Sequence, residues 1–157
     1  MNYLSKSLEE TNKIAQNFLN SLTLHTGLHT GPACVVVLEG DLGSGKTAFA
    51  QEVGKILDVA ENMHSPTFVI EKIYEIPARP GLAGGNFKGF KKLIHIDAYR
   101  LEKESELLHL GWEEVTREPE NLIFIEWPEN VSGIIPENAK RISFKFIDEN
   151  TREISYD

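Results

Sequence analysis

Eight consecutive residues, Gly40-Asp41-Leu42-Gly43-Ser44-Gly45-Lys46-Thr47, satisfy the pattern G-x-x-x-x-G-K-[ST] in full. Each residue type has a physical reason to stand where it does. Glycines let the backbone take angles that turn several N–H groups toward one anion. A helix starting near Lys46 adds the positive end of its dipole. The Lys46 ammonium can reach the β- and γ-phosphates of a nucleotide as a point charge, and the Thr47 hydroxyl is a hard oxygen donor of the kind Mg2+ prefers. A glycine-rich turn without function can match eight positions by chance. Here the run Val35-Val36-Val37-Leu38 precedes the loop, and Phe49, Val53, Ile56 and Leu57 recur behind it at helical spacing. That is the strand, loop and helix context a phosphate cradle requires.

A phosphate loop needs a second carboxylate at the end of a neighbouring strand, within reach of the metal or its water shell. Glu126 ends the run Leu122-Ile123-Phe124-Ile125, and Asp97 ends Leu93-Ile94-His95-Ile96. Taken singly, each reads equally well as a solvated acid capping a strand. Beside the loop, a functional role is favoured for both: Glu126 for the metal shell, Asp97 for orienting the attacking water or holding the metal. His95 reads as an ordinary strand residue and receives no catalytic role. Trp127 is either core or a border of the nucleotide. Ser65-Pro66-Thr67-Phe68 offers two hydroxyls in a proline-stiffened turn, as a sensor of the γ-phosphate or, more simply, as the start of a strand.

The elements that must position these groups follow from pattern. Ser7-Leu8-Glu9-Glu10 fits a capping box, and Ile14, Phe18, Leu19 and Leu22 continue it as a helix ending before Gly27. His25 to Pro32 reads as a loop. Short apolar or β-branched runs predict strands at Ala33–Glu39, Thr67–Tyr74, Leu93–Asp97 and Asn121–Glu126, with a helix over Lys103–Leu110 ended by Gly111. Arg141–Ile147 and Thr151–Tyr156 flank Asp148-Glu149-Asn150 as a hairpin. Pro77 to Lys92 holds two prolines, four glycines and the cations Arg79, Lys88, Lys91 and Lys92 with no acid, which predicts a long loop. The expected architecture is one three-layer α/β domain over residues 1–157, with a mostly parallel sheet and antiparallel edge strands.

Bulk composition sets outer bounds. The 157 residues are 41% hydrophobic and 25% charged, with a formal charge of -8. A chain of this size buries roughly 70% of its unfolded surface, enough for a core without staples. The acidity argues against a free-standing nucleic-acid binder, whose affinity would rest on Lys and Arg. The single cysteine, Cys34, permits no internal disulfide and reads as a core thiol. No signal pattern and no membrane-length apolar stretch is present, so a cytoplasmic protein without membrane contact is expected.

The loop Gly40–Thr47, then Ser65-Pro66-Thr67-Phe68, His95-Ile96-Asp97-Ala98-Tyr99-Arg100-Leu101, Glu106-Leu107 with Leu110-Gly111, and Ile125-Glu126-Trp127-Pro128-Glu129 occur in an order that resembles the TsaE family, formerly YjeE. The resemblance covers nearly the whole chain. It implies a small ATPase of bacterial tRNA threonylcarbamoyladenosine synthesis that works with TsaD-like and TsaB-like proteins. With a threonylcarbamoyl-adenylate donor, those proteins modify adenosine 37 of tRNAs reading ANN codons, and this chain would meet tRNA indirectly through the complex. Hydrolysis would be slow in the chain alone and would reset the complex between turnovers. The resemblance further implies catalytic roles for Lys46, Asp97 and Glu126, and Mg2+ at Thr47 and Glu126. It implies ATP held by Thr11, Gly43, Ser44, Gly45, Lys46, Thr47, Ala48, Trp127 and Arg152.

Two departures stand out. Ala98 is small where the family often carries a bulky residue, and the loop 77–92 is long for the family. The loop reads as a solvated hairpin tip or, more sharply, as four cations that meet tRNA phosphate or an acidic partner. Two other functions use the same loop. A small-molecule or nucleoside kinase needs an arginine-bearing lid, and Arg100, Arg117, Arg141 and Arg152 are scattered. A nucleotide-gated binding module would take Mg-ATP without forming ADP.

Overall fold

Four apolar side chains in succession, Val35 to Leu38, point alternately to opposite faces of a strand, so both faces must be covered. The computed structural model describes residues 1–22, 31–63, 70–79 and 87–157, and it covers both. The strand β2 (Cys34–Glu39) lies parallel to two neighbours, β5 (Asn121–Glu126) and β6 (Lys140–Phe146). Beyond β5 come β4 (Lys92–Asp97), parallel, and β3 (Glu71–Glu75), antiparallel. Beyond β6 come β7 (Arg152–Tyr156) and β1 (Asn2–Ser5), each antiparallel to its neighbour. The seven strands run in the order β1-β7-β6-β2-β5-β4-β3, parallel at the centre and antiparallel at both edges.

Side-chain alternation divides the core between two faces. Val36 and Leu38 of β2 and Leu122 and Phe124 of β5 pack against α1 (Leu8–Ser21) and α2 (Lys46–Ile56). Val35, Val37, Ile123 and Ile125 face the other way, toward α3 (Glu104–His109), α4 (Trp112–Arg117) and a 3-10 stretch at Pro128–Ile134. Burying one such side chain contributes about 1.5–3 kcal/mol, and every residue of β5 is buried. Cys34 lies half-buried against the first layer, and burial pushes its thiol up to about 11.

Several boundaries differ from expectation for local reasons. α1 ends at Ser21, before Gly27 as expected, but Gly111, with φ at 85°, both closes α3 and opens α4, a helix the spacing did not announce. β1 and the 3-10 stretch were also unannounced. The turn Ser65–Phe68, the segment 23–30 and the loop tip 80–86 lie outside the described residues.

In the described parts of the basic segment, 77–79 and 87–92, three of the four cations meet carbonyls or acids of the chain itself. The Arg79 guanidinium donates to the Ile56 carbonyl, and its Nε lies 2.9 Å from Asp58. Lys88 Nζ donates to Asn20 O at 2.7 Å and to Leu22 O. Lys91 pairs with Glu120 at 2.7 Å. The first two cations thus sit at the C-terminal ends of α2 and α1, where carbonyls lack helical partners and the dipole is negative. Among the described residues, no helix is long and apolar enough to cross a membrane.

Candidate functional site: a phosphate cradle at the carboxyl edge of the sheet

The loop after β2 is shaped by its glycines. Gly40 has φ at 146°, and a Cβ there would run into the Phe144 carbonyl of β6. Gly45 has φ at 107° and caps α2 without any side-chain hydrogen bond. The N–H groups of Lys46, Thr47 and Ala48 therefore open the helix with no intrahelical partner. Ser44 Oγ, just before them, is buried and has no partner among the described residues. Unpaired donors converging on one point, at the positive end of a helix, make a site for an anion.

Lys46 is folded over its own loop. Its Nζ donates to the Gly40 carbonyl and, at 2.9 Å, to the Asp41 carbonyl, and it lies 4.4 Å from the centroid of the Trp127 ring. Burial lowers the Lys46 pKa, against the opposing pull of Glu126, Glu129, Asp97 and Asp41. Trp127 follows β5 with φ at 58° and ψ at 51° and precedes Pro128. Left-handed backbone at a bulky residue before proline is costly, of order 1–3 kcal/mol. The turn brings the indole against Lys46 and within 4.9 Å, centroid to centroid, of Tyr99.

The carboxylates meet the loop from the neighbouring strands. Thr47 Oγ1 donates to Glu126 Oε1 at 3.2 Å, and His95 Nε2 lies 2.8 Å from the same oxygen. Asp97 stands opposite Glu126 in the parallel register of β4 and β5. Its Oδ1 accepts the Tyr99 N–H at 3.0 Å. Burial raises the Asp97 carboxyl above its ordinary value, and the Glu126 charge adds to this. The Tyr99 N–H, His95 and Lys46 oppose it.

Among the described residues, no cluster of three or more His, Cys, Asp or Glu could hold a metal by itself. A cation here would lean on the Thr47 hydroxyl, the Glu126 carboxylate, waters and phosphate oxygens. That hard-oxygen set fits Mg2+, which keeps much of its water and binds through one or two carboxylates plus substrate phosphates.

The residues named from sequence border one cleft of about 820 Å³. Gly43 to Ala48 form its floor, with Asp97, Glu126 and Trp127 on one side and Thr11 and Arg152 on the other. Arg152 spans the loop: its Nε donates to Gly43 O at 3.1 Å and an amino group to Asp148 O at 2.6 Å. Thr11 Oγ1 lies 2.7 Å from Ser5 Oγ and donates to Ser7 O at 3.2 Å. Ser5, Ser7, Tyr99 and Asn150 also line the cleft and were not singled out as site residues. Tyr99 could have been, since it sits two residues past Asp97. Ser5 could not, because β1 has no readable period. His95, given no role, is brought to the Glu126 carboxylate. The Ser65–Phe68 turn lies outside the described residues.

The chain matches, over residues 5–154, the family described as "Threonylcarbamoyl adenosine biosynthesis protein TsaE". A Rickettsia typhi protein named tRNA threonylcarbamoyladenosine biosynthesis protein TsaE is 33% identical over 147 residues, which are 93% of this chain and 87% of the relative. A Bacillus subtilis protein of the same name is 32% identical over 131 residues, 83% of this chain and 73% of the relative. Among solved structures, the crystal structure of Bacillus subtilis YdiB superposes with a TM-score of 0.66 at 25% identity, covering 99% of this chain and 83% of that one.

Proposed function

This chain belongs to the TsaE family, and from that premise we propose that it is a Mg2+-dependent ATPase subunit of tRNA threonylcarbamoyladenosine biosynthesis. On this reading it hydrolyses ATP to cycle a complex of TsaD-like and TsaB-like proteins and meets tRNA through that complex. The observation that carries the reading is the 3.2 Å contact between Thr47 Oγ1 and Glu126 Oε1, which sets a phosphate-loop hydroxyl against a strand-end carboxylate.

The N–H groups of Lys46, Thr47 and Ala48 and the Ser44 hydroxyl take the phosphate oxygens. Lys46 leaves the Gly40 and Asp41 carbonyls for the β- and γ-phosphates, whose negative charge favours its ammonium form and offsets the burial that lowers its pKa. Thr47 and Glu126 would hold Mg2+. When bound, Mg2+ neutralises charge on the phosphate oxygens. Asp97 orients the attacking water, and Trp127, Thr11 and Arg152 border the nucleotide. The products are ADP and phosphate, and most of the rate comes from positioning and charge compensation. A partner would supply a stimulating cation or an ordering contact, so the isolated chain is expected to turn over slowly.

The test is ADP release from ATP by the purified chain, then with TsaD, TsaB and tRNA. Weak activity that rises with the partners and vanishes in Lys46→Ala is expected. Glu126→Ala should lose chiefly the Mg2+-dependent turnover. Turnover indifferent to the partners would leave only a generic ATPase, and a phosphorylated small-molecule acceptor would replace the proposal with a kinase.

A further inference from the structure

His95 plays no part in the mechanism above, yet its side chain is 1% exposed and its ring touches the Glu126 carboxylate. Three residues from each of two neighbouring strands share one side of the sheet. Leu93, His95 and Asp97 alternate along β4 toward α2, as Leu122, Phe124 and Glu126 do along β5. His95 stands opposite Phe124, so it reaches along the strands to the carboxylate two residues further on. A carboxylate only accepts hydrogen bonds, which makes His95 Nε2 the donor. The other ring nitrogen, Nδ1, is buried with no partner among the described residues. An apolar side chain would fill this position without orphaning a nitrogen, so the single bond to Glu126 is what the imidazole adds. His95 is not among the residues that line the cleft.

Glu126 Oε1 is the oxygen shared by His95 and Thr47, at 2.8 Å and 3.2 Å. A glutamate held at one end only keeps several rotamers, and each freezes at an entropic cost when a cation arrives. We propose that His95 is a positioning residue that pins the Glu126 carboxylate toward Thr47, so that the Mg2+ position is set before nucleotide binds. This rests on the reading that Thr47 and Glu126 hold Mg2+. Partners behind a ligating group commonly change metal affinity in this way.

Three variants separate positioning from packing. His95→Gln keeps an N–H donor at the reach of Nε2. His95→Asn puts its donor at the reach of Nδ1, where nothing accepts, and His95→Leu has none. The primary readout is the Mg2+ concentration that half-saturates binding of a fluorescent, non-hydrolysable ATP analogue, together with its Mg2+-free affinity. His95→Asn and His95→Leu should need about tenfold more Mg2+ or beyond, with Mg2+-free affinity unchanged, while His95→Gln stays near the wild type. If His95→Leu does not fold, the contrast between Gln and Asn decides. Equal behaviour of those two would overturn the proposal.

A second readout needs no nucleotide. The imidazole Nε2–H of His95 should give a protected, downfield proton resonance that disappears in Glu126→Ala. Its absence from the wild type would also overturn the proposal. Analogue binding by the wild type with indistinguishable His95 variants sinks this inference alone. No analogue binding at any Mg2+ concentration sinks the ATPase reading with it.

Discussion

Asp97 sits where its charge is costly. Burial lifts its carboxyl above the ordinary value, and the Glu126 carboxylate pushes the same way. An acid raised in this manner binds its proton more readily in the folded chain than in the unfolded one. Its penalty on stability therefore grows as pH climbs from the unfolded value through the folded one, and is relieved on acidification. Asp97→Asn keeps an oxygen for the Tyr99 N–H. It should melt at a higher temperature than the parent at neutral pH, with the gain shrinking in the carboxylate range. Turnover should fall by about 10²-fold or more, the usual worth of a group that handles a proton or orients a water. Calorimetry at both pH values, beside an ADP assay, checks this; a lower melting temperature at neutral pH would remove the argument. The loop Gly40–Thr47 was legible because all its requirements lie in contiguous residues. His95 was not, because its partner is 31 residues away on another strand, and only the register of β4 and β5 brings them together.

At the scale of elements, α1 begins where its sequence says. Ser7 Oγ accepts the Glu10 N–H at 3.2 Å, while Glu10 Oε2 accepts the Lys6 N–H at 2.6 Å, one residue ahead of the cap. Ser7→Ala should cost about 1 kcal/mol, read as a lower urea midpoint with an unchanged slope; an unchanged midpoint would show the cap to be redundant. Strands β2, β4 and β5 could be read because central strands are apolar on both faces, and β6 and β7 because their character alternates about a turn. β1, α4 and the 3-10 stretch could not. They span four, six and seven residues, too few for a period, and tertiary partners decide their conformation. The strained backbone at Trp127 belongs here too. No residue type announces it, and it arises where β5 must turn sharply while the indole meets Lys46.

Across the whole molecule, charge is spent locally. The chain carries -8, and the loop 77–92 would be its natural nucleic-acid contact. Arg79 and Lys88 instead hold the far ends of α2 and α1, the two helices whose near ends border the cleft. Replacing both with glutamine should destabilise the chain by about 0.3–1 kcal/mol for each helix end, seen as a lower melting temperature. The salt dependence of any tRNA association should stay the same. Unchanged melting with weakened, flatter salt dependence would restore the nucleic-acid role. The sheet order was only partly legible: pattern gave the parallel centre and the antiparallel hairpin, but not which strand stands beside which.

That order has a consequence during synthesis. β2 takes both of its neighbours, β5 and β6, from the far half of the chain. At about 5–20 residues per second, Val35-Val36-Val37-Leu38 leaves the ribosome seconds before either partner exists, as an apolar strand with two open edges. Gly40, which leaves no room for a Cβ beside the Phe144 carbonyl, reaches its final packing only once β6 is in place. Until β5 and β6 have emerged, the central strand keeps both edges open, which makes the unfinished chain prone to aggregate.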